Sequence, residues 1–148
     1  MNSKLIEAYR NTTYTAATPR GELRLRIGDT HPELDALLRE HDAETWSFIT
    51  AWNPASEPLD AADNRARQAR LEAELAGAGY VFFAGKGEPD ESDWEAEESV
   101  LVVGIARHEA VGVGVRYGQN AIVCGHVGEP AALVWCVAEN VNRRTSCP

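Results

Sequence analysis

Six segments after residue 45 constrain the fold most, because their periodicities follow the order strand, helix, strand, strand, helix, strand. The segments are Trp46–Trp52, Ala61–Ala76, Tyr80–Phe83, Ser99–Val103, Ala106–Tyr117 and Asn120–Cys124. Alternating or continuous apolar residues predict the strands, and apolar residues three or four positions apart predict the helices. This order is the split βαβ pattern, so the sequence predicts an α+β fold with a ferredoxin-like βαββαβ core.

The flanking segments add further elements to this core. They are a short leading helix at Leu5–Tyr9, an N-terminal strand at Leu23–Ile27, a helix capped by Thr30 and a C-terminal hairpin strand at Ala131–Val137. Asn11–Arg20 is rich in threonine and contains a proline near its end, and we expect a loop there. Gly112 and Gly114 leave a strand open as the alternative within Ala106–Tyr117, because glycine costs a helix about 1 kcal/mol relative to alanine.

The length of 148 residues fits one domain, so we expect residues 1–148 to form a single α+β domain with a frayed polar tail from about residue 140. No apolar run approaches the ~20 residues of a membrane span. The amino terminus lacks the pattern of a secretory signal, which predicts a cytoplasmic location. Three cysteines without C-x-x-C spacing are typical of reduced thiols.

A formal net charge of −9 disfavours nucleic acid as a partner, because the chain repels phosphate backbones. The segment through Arg26 is mildly basic but too sparse for a phosphate-tracking groove. In the predicted strand Ser99–Val103, Ser99, Leu101 and Val103 face one way and Val100 and Val102 the other, so both sheet faces are apolar and need cover. Either the N-terminal helices or a second subunit provides it, which leaves monomer and homodimer open, with intramolecular cover favoured.

Polar residues from separate parts of the chain are expected to meet at one sheet edge, because right-handed crossovers bring these element ends together. They lie after the first core strand, in the first turns of the following helix, in an acidic hairpin at Gly85–Glu98 and before the last core strand. The candidate ligand-binding residues are Thr50, Asn53, Asn64, Arg67, Glu98, Gln119 and Asn120.

Each candidate also has a purely structural interpretation. Asn53 precedes Pro54 and would equally close an Asx turn, and Asn64 would equally satisfy free N–H groups of its helix. Asn64 shares a helix face with Leu71, so we expect its amide to point inward and to need hydrogen-bond partners. Arg67 offers a bidentate donor to a carboxylate or phosphate, although pairing with a surface carboxylate is the commoner role.

The acidic hairpin carries seven carboxylates around Trp94. Its simplest interpretation is a solvated loop that protects the sheet edge from aggregation. The alternative places Glu98 at the pocket rim as an acceptor, a general base or a ligand of a hard cation. The four histidines are scattered, and Gly85–Gly87 lacks the full phosphate-loop pattern. The sequence therefore assigns no catalytic residue, no metal ligand and no cofactor.

Several motifs together resemble the uncharacterised bacterial family catalogued as domain of unknown function 3293. They are Phe48–Pro54 (FITAWNP), Asn64, Gly79-Tyr80, Trp94 with Glu97–Ser99, and Tyr117–Ala121. The resemblance covers roughly Ala8 through Val134 and implies no reaction, cofactor or catalytic residue. The polar tail after Cys136 and the glycine-interrupted helix depart from the family pattern.

Three functions follow as hypotheses. The leading one is recognition of a small polar ligand, nucleotide-like or amino-acid-like, because amides and hydroxyls orient ligands more readily than they break bonds. The second is a hydrolase or transferase in which Glu98 acts as base or binds a divalent cation. The third is a protein-interaction module whose acidic hairpin docks a basic partner. We expect neither nucleic acid nor membrane among the partners.

Overall fold

The computed structural model describes residues 3–90 and 96–136, which contain four α-helices and seven β-strands. The helices are α1 (Ser3–Arg10), α2 (Pro32–Glu40), α3 (Ala61–Gly77) and α4 (Arg107–Arg116). The strands are β1 (Thr12–Thr18), β2 (Gly21–Leu25), β3 (Thr45–Ile49), β4 (Val81–Pro89), β5 (Glu97–Val103), β6 (Ala121–His126) and β7 (Ala132–Trp135). The mixed α and β composition expected from the sequence is confirmed.

The strands form one antiparallel sheet in the order β2-β1-β4-β5-β3-β6-β7. Helix α3 connects β3 to β4, and β5 lies between these two strands in the sheet. Helix α4 connects β5 to β6, and β3 lies between those two. Phe48 of β3 pairs with Leu101 of β5 on one side and with Val123 of β6 on the other. The six segments predicted after residue 45 therefore supply the middle of the sheet and two helices.

Each face of the sheet buries its own apolar cluster. On one face, Val100 and Val102 of β5 pack with Leu71 of α3 and Val111 of α4. On the other, Leu101 and Val103 of β5 pack with Phe48 and with the α2 residues Leu34, Leu37 and Leu38. The face assignment made from strand alternation is therefore correct for β5. A helix of the same chain covers part of the second face.

Local chemistry explains where the helices begin and how closely they pack. The Asp60 side chain accepts a hydrogen bond from the Asp63 N–H at 2.8 Å, so Asp60 is the N-cap of α3. Helix α2 begins at Pro32 and has His31 at its cap, one residue later than the predicted Thr30 cap. Residues 107–116 are helical despite two glycines. Gly114 is needed there because a Cβ atom would overlap the Cys136 sulfur.

The expected loop at Asn11–Arg20 is wrong for most of its length, because Thr12–Thr18 forms β1. This strand pairs with β2 on one side and with residues 85–89 of β4 on the other. Threonine is β-branched and favours a strand when a partner is present on each side. The expected hairpin at Gly85–Glu98 is correspondingly shorter, since both of its ends are strand. Its middle, residues 91–95, lies outside the described residues, as does the tail from residue 137.

Candidate functional site

The chain leaves the sheet after Ile49, three residues earlier than the predicted strand Trp46–Trp52 implies. From this point, side chains instead of neighbouring strands supply hydrogen bonds to the chain. The Thr50 hydroxyl donates to the Glu98 carbonyl oxygen at 2.6 Å and accepts from the Trp52 N–H at 3.0 Å. The loop therefore begins with a fixed direction relative to β5.

Side chains of helix α3 hydrogen-bond both backbone groups of the next loop residue, Ala51. The Ala51 N–H donates to Gln68 Oε1 at 3.0 Å, and the Ala51 carbonyl accepts from Arg67 Nε at 2.9 Å. Arg67 also donates to the Tyr117 carbonyl, and its guanidinium lies 5.9 Å from the Tyr117 ring centroid. Arg67 thus connects the loop, α3 and the end of α4.

Two asparagines lock the middle of the loop. The Asn53 N–H donates to Asn64 Oδ1 at 2.8 Å, while Asn64 Nδ2 donates to Asn53 Oδ1 at 2.7 Å and to the Leu59 carbonyl at 3.2 Å. The Leu59 N–H donates to Asn53 Oδ1 at 3.0 Å. Asn64 is only 2% exposed. Its inward orientation is as expected, but both ends of its amide already have protein partners, so its role is to shape the loop.

The turn that follows has an unusual backbone. Asn53, Ala55 and Ser56 have φ values of 43°, 56° and 61°, a left-handed region that costs a residue other than glycine roughly 1–2 kcal/mol. The Ala55 N–H donates to the Gly118 carbonyl at 2.6 Å, and Asn120 Nδ2 donates to Ser56 Oγ at 2.9 Å. Such backbone conformations cluster at binding and active sites, where the surrounding structure enforces them.

A cavity of about 410 Å³ lies between α1 and the sheet, on the face that α2 also covers. Its lining comes from α1 and β1, from the four strands β3, β4, β5 and β6, and from the loop with the residues around it. The main contributors are Leu5, Ala8 and Tyr9 of α1, Thr12 and Tyr14 of β1, Phe48, Ser99, Ala121 and Val123 of the sheet, and Thr50, Asn53, Ser56, Glu97 and Gln119 at the polar end.

The apolar side of the cavity is aromatic. The Tyr14 and Phe48 rings meet edge to face, with centroids 5.4 Å apart and an interplanar angle of 63°. The Tyr14 hydroxyl donates to the Tyr9 carbonyl at 3.3 Å and so attaches the end of α1 to β1. The Phe48 ring needs a glycine opposite it, because a Cβ atom on Gly85 would lie 2.8 Å from Phe48 Cζ.

Glu97 dominates the electrostatics of the polar end. Burial raises the pKa of this half-buried carboxyl, and the hydrogen bond that Asn53 Nδ2 donates to Glu97 Oε2 at 3.2 Å opposes the change. Burial and, secondly, the nearby Glu97 charge raise the pKa of Tyr9 to about 12, partly offset by the Ala121 backbone. The described residues that line the cavity include no lysine, arginine or histidine, and Glu97 is their only carboxyl.

The structure brings most of the predicted site residues to this region. Three of them line the cavity, namely Thr50, Asn53 and Gln119. Asn64 and Arg67 stand behind the loop, and Asn120 holds Ser56 at the rim. Glu98 is exposed and does not line the cavity, whereas its neighbour Glu97 does.

Sequence reasoning missed Glu97 and the two tyrosines of α1 and β1. Residues two apart on a strand face the same way, so strand alternation places Glu97 on the face of Ser99 and Leu101. Both of these residues are buried, and Glu97 is the carboxyl on the cavity side. The contribution of Tyr9 had no comparable signal. Tyr14 was hidden because its segment was interpreted as a loop.

Among residues 3–90 and 96–136, no group of three histidine, cysteine, aspartate or glutamate side chains is placed to hold a metal ion. No helix in those ranges is both long enough and apolar enough to cross a membrane.

The fold and the site define a class of protein with a seven-stranded antiparallel sheet, helices on both faces and a cavity of about 410 Å³ between the N-terminal helix and the sheet. The chain belongs to the family of proteins of unknown function catalogued as domain of unknown function 3293, whose family model matches residues 49–122, half of the chain. The resemblance seen in the sequence is confirmed. The matched span contains the seven predicted site residues and Glu97, whereas α1 and β1 lie outside it. Comparison with curated proteins and with solved structures gave no match.

Proposed function

We propose that the protein binds a small molecule in the cavity between α1 and the sheet. The cavity volume of about 410 Å³ lies in the range of ligand pockets, and its mostly apolar lining with a few placed polar groups is typical of them. The observation that carries the proposal is Glu97, a half-buried carboxyl at the wall of this cavity, held there by the amide of a rigid loop.

The predicted polar residues divide into two roles under this proposal. Asn53 and Gln119 face the ligand together with Glu97. Gln119 Nε2 donates to the carbonyls of Trp52 at 3.1 Å and Tyr117 at 3.3 Å, which turns the amide oxygen into the acceptor that remains for a ligand. Asn64 and Arg67 are positioning residues that fix the loop.

A catalytic role is the second candidate, and the raised pKa of Glu97 is the observation that favours it. A carboxyl with a raised pKa in a cleft is a candidate general acid or base. The exposed Glu98 is less suited to that role. The third hypothesis, an acidic docking hairpin, depends largely on residues 91–95, outside the described residues, and stays a prediction.

The ferredoxin-like core and the cytoplasmic location also remain proposals. The two βαβ units described above, with α3 and α4 packed on one face, support the first. Cys136 is a free thiol in the described part of the chain, which supports the second.

The test compares a cavity-filling variant with a matched surface variant. Ala121 is 4% exposed and lines the cavity, so Ala121→Leu should fill it, while Ala73→Leu adds the same group on the exposed side of α3. A fragment library is screened by ligand-observed NMR against wild-type protein and both variants, after thermal unfolding has shown that all three fold.

We expect fragments that bind wild type and Ala73→Leu but lose binding to Ala121→Leu. A screen in which no fragment is sensitive to Ala121→Leu would refute binding in this cavity. Native mass spectrometry of freshly purified wild-type protein provides an independent measurement, since a retained small molecule appears as added mass that the Ala121→Leu variant should lack.

A further inference from the structure

We infer that the ligand is an organic amine in its cationic form, whose ammonium group pairs with Glu97 and whose hydrocarbon part lies against Tyr14 and Phe48. This inference rests on the proposed function and specifies the ligand class.

The first argument is charge. Glu97 brings one carboxylate to the cavity, and no cationic side chain accompanies it among the described lining residues. Two nearby arginines are engaged elsewhere: Arg67 donates to backbone carbonyls behind the loop, and Arg26 pairs with Asp90 at 2.8 Å. A phosphate or carboxylate ligand would therefore meet a like charge at low dielectric, whereas an ammonium group supplies the missing counter-charge.

The second argument is the balance of hydrogen-bond donors and acceptors at the wall. Six side chains of the wall already donate a hydrogen bond to another group of the protein, namely Thr12, Tyr14, Thr50, Asn53, Ser99 and Gln119. At the polar end the acceptors Glu97 Oε1 and Gln119 Oε1 have no hydrogen bond within the described residues, and the donors left beside them are the Ser56 hydroxyl and the second N–H of Asn53 Nδ2. The lone pairs of the carboxylate and the amide oxygen outnumber these donors, so the wall favours a ligand that supplies donors, and an ammonium group supplies three.

The third argument is the aromatic side of the cavity. The rings of Tyr14 and Phe48 lie on the same sheet face as the Glu97 side of β5. Aromatic faces attract organic cations through the ring quadrupole and also bury hydrocarbon. An amine with a short apolar body thus finds a partner for each of its parts.

The experiment uses three probes that share a phenyl group and differ in their polar end: 2-phenylethylamine, 2-phenylethanol and 3-phenylpropionate. Each is titrated into the full-length protein, and binding is followed by chemical-shift changes of backbone amides. We expect the amine to bind at least about tenfold more tightly than the alcohol, because hydrogen bonds to charged groups contribute about 1.5–3 kcal/mol. The propionate should bind more weakly than both.

Two neighbouring glutamates provide the matched variants. Glu97→Gln should weaken amine binding about 10- to 100-fold and weaken alcohol binding much less, because the Gln side-chain oxygen still accepts from a hydroxyl while the charge is lost. Glu98→Gln removes the same charge from the exposed neighbour and should change neither affinity. Thermal unfolding confirms that both variants fold.

Equal effects of the two variants, a preference for the alcohol or the propionate, or no amine binding at millimolar concentration would each overturn the inference. The proposed function fails separately. Probes or fragments that bind without preference for the amine, but lose binding to Ala121→Leu, leave the cavity as a ligand site and remove only the cationic ligand.

Discussion

Asn64→Ala tests whether the loop after β3 depends on its asparagine pair. Asn64 is 2% exposed and makes three hydrogen bonds, two with Asn53 and one with Leu59. Alanine removes all three and leaves the Asn53 N–H and the Leu59 carbonyl without this partner. Since a typical bond contributes 0.5–1.5 kcal/mol and an unpaired buried group costs more, we expect a loss of about 3 kcal/mol in the free energy of unfolding.

The loss is measured by urea denaturation, with thermal unfolding as a second readout. At about 2–4 °C per kcal/mol for a chain near this size, the melting temperature should fall by about 6–12 °C. Asn120→Ala is the matched control, because it removes a single hydrogen bond, donated by the Asn120 side-chain amide to the exposed Ser56, and should cost under about 1 kcal/mol. If Asn64→Ala costs no more than Asn120→Ala, the asparagine pair does not hold the loop.

Three further predictions concern single groups. Glu97→Gln should raise the free energy of unfolding at neutral pH. Burial raises the pKa of the Glu97 carboxyl in the folded protein. Wild-type stability therefore falls as the pH rises from the ordinary pKa of glutamate through the raised pKa, and glutamine does not ionise. The gain should vanish below a pH of about 4, which urea denaturation at several pH values checks; a gain independent of pH would contradict the reasoning. Gly85→Ala should cost about 2–3 kcal/mol in urea denaturation, because its Cβ atom would overlap the Thr15 carbonyl oxygen of the neighbouring strand and press on the Phe48 ring; an unchanged midpoint would show that the strands move apart to accept it. Burial raises the pKa of Cys136 to about 12, so in a Cys147→Ser background the folded protein should react with Ellman's reagent only as fast as it opens; rapid reaction of the folded state would refute this.

The core was predictable because its signals are local. The alternation within β5 assigns Val100 and Leu101 to opposite faces without knowledge of their partners. The helical spacing of Asn64 and Leu71 likewise predicts that the asparagine points inward. Each pattern depends only on the repeat of its own helix or strand, so it can be recognised without knowledge of the packing partners.

The cavity was less predictable because its walls come from distant pairings. Thr12–Thr18 becomes a strand only through its pairing with β2 and with residues 85–89, and nothing within the segment specifies that partner. Glu97 and Glu98 differ only in strand parity, so a choice based on closeness to the apolar run selects the exposed one. Hydrogen-bond partners are equally invisible in sequence, which is why a satisfied Asn64 resembled a ligand-binding residue.

The division of the cavity between the matched and unmatched halves of the chain has a consequence for the family. The carboxyl and its scaffold fall within residues 49–122, while Tyr9 and Tyr14 belong to a separate leading segment. A relative that keeps a carboxyl at the position of Glu97 but differs in this segment would place the same charge beneath a helix of different shape. Under the proposed function, replacing only the leading segment of this chain should change the selectivity of the cavity without disturbing the carboxyl.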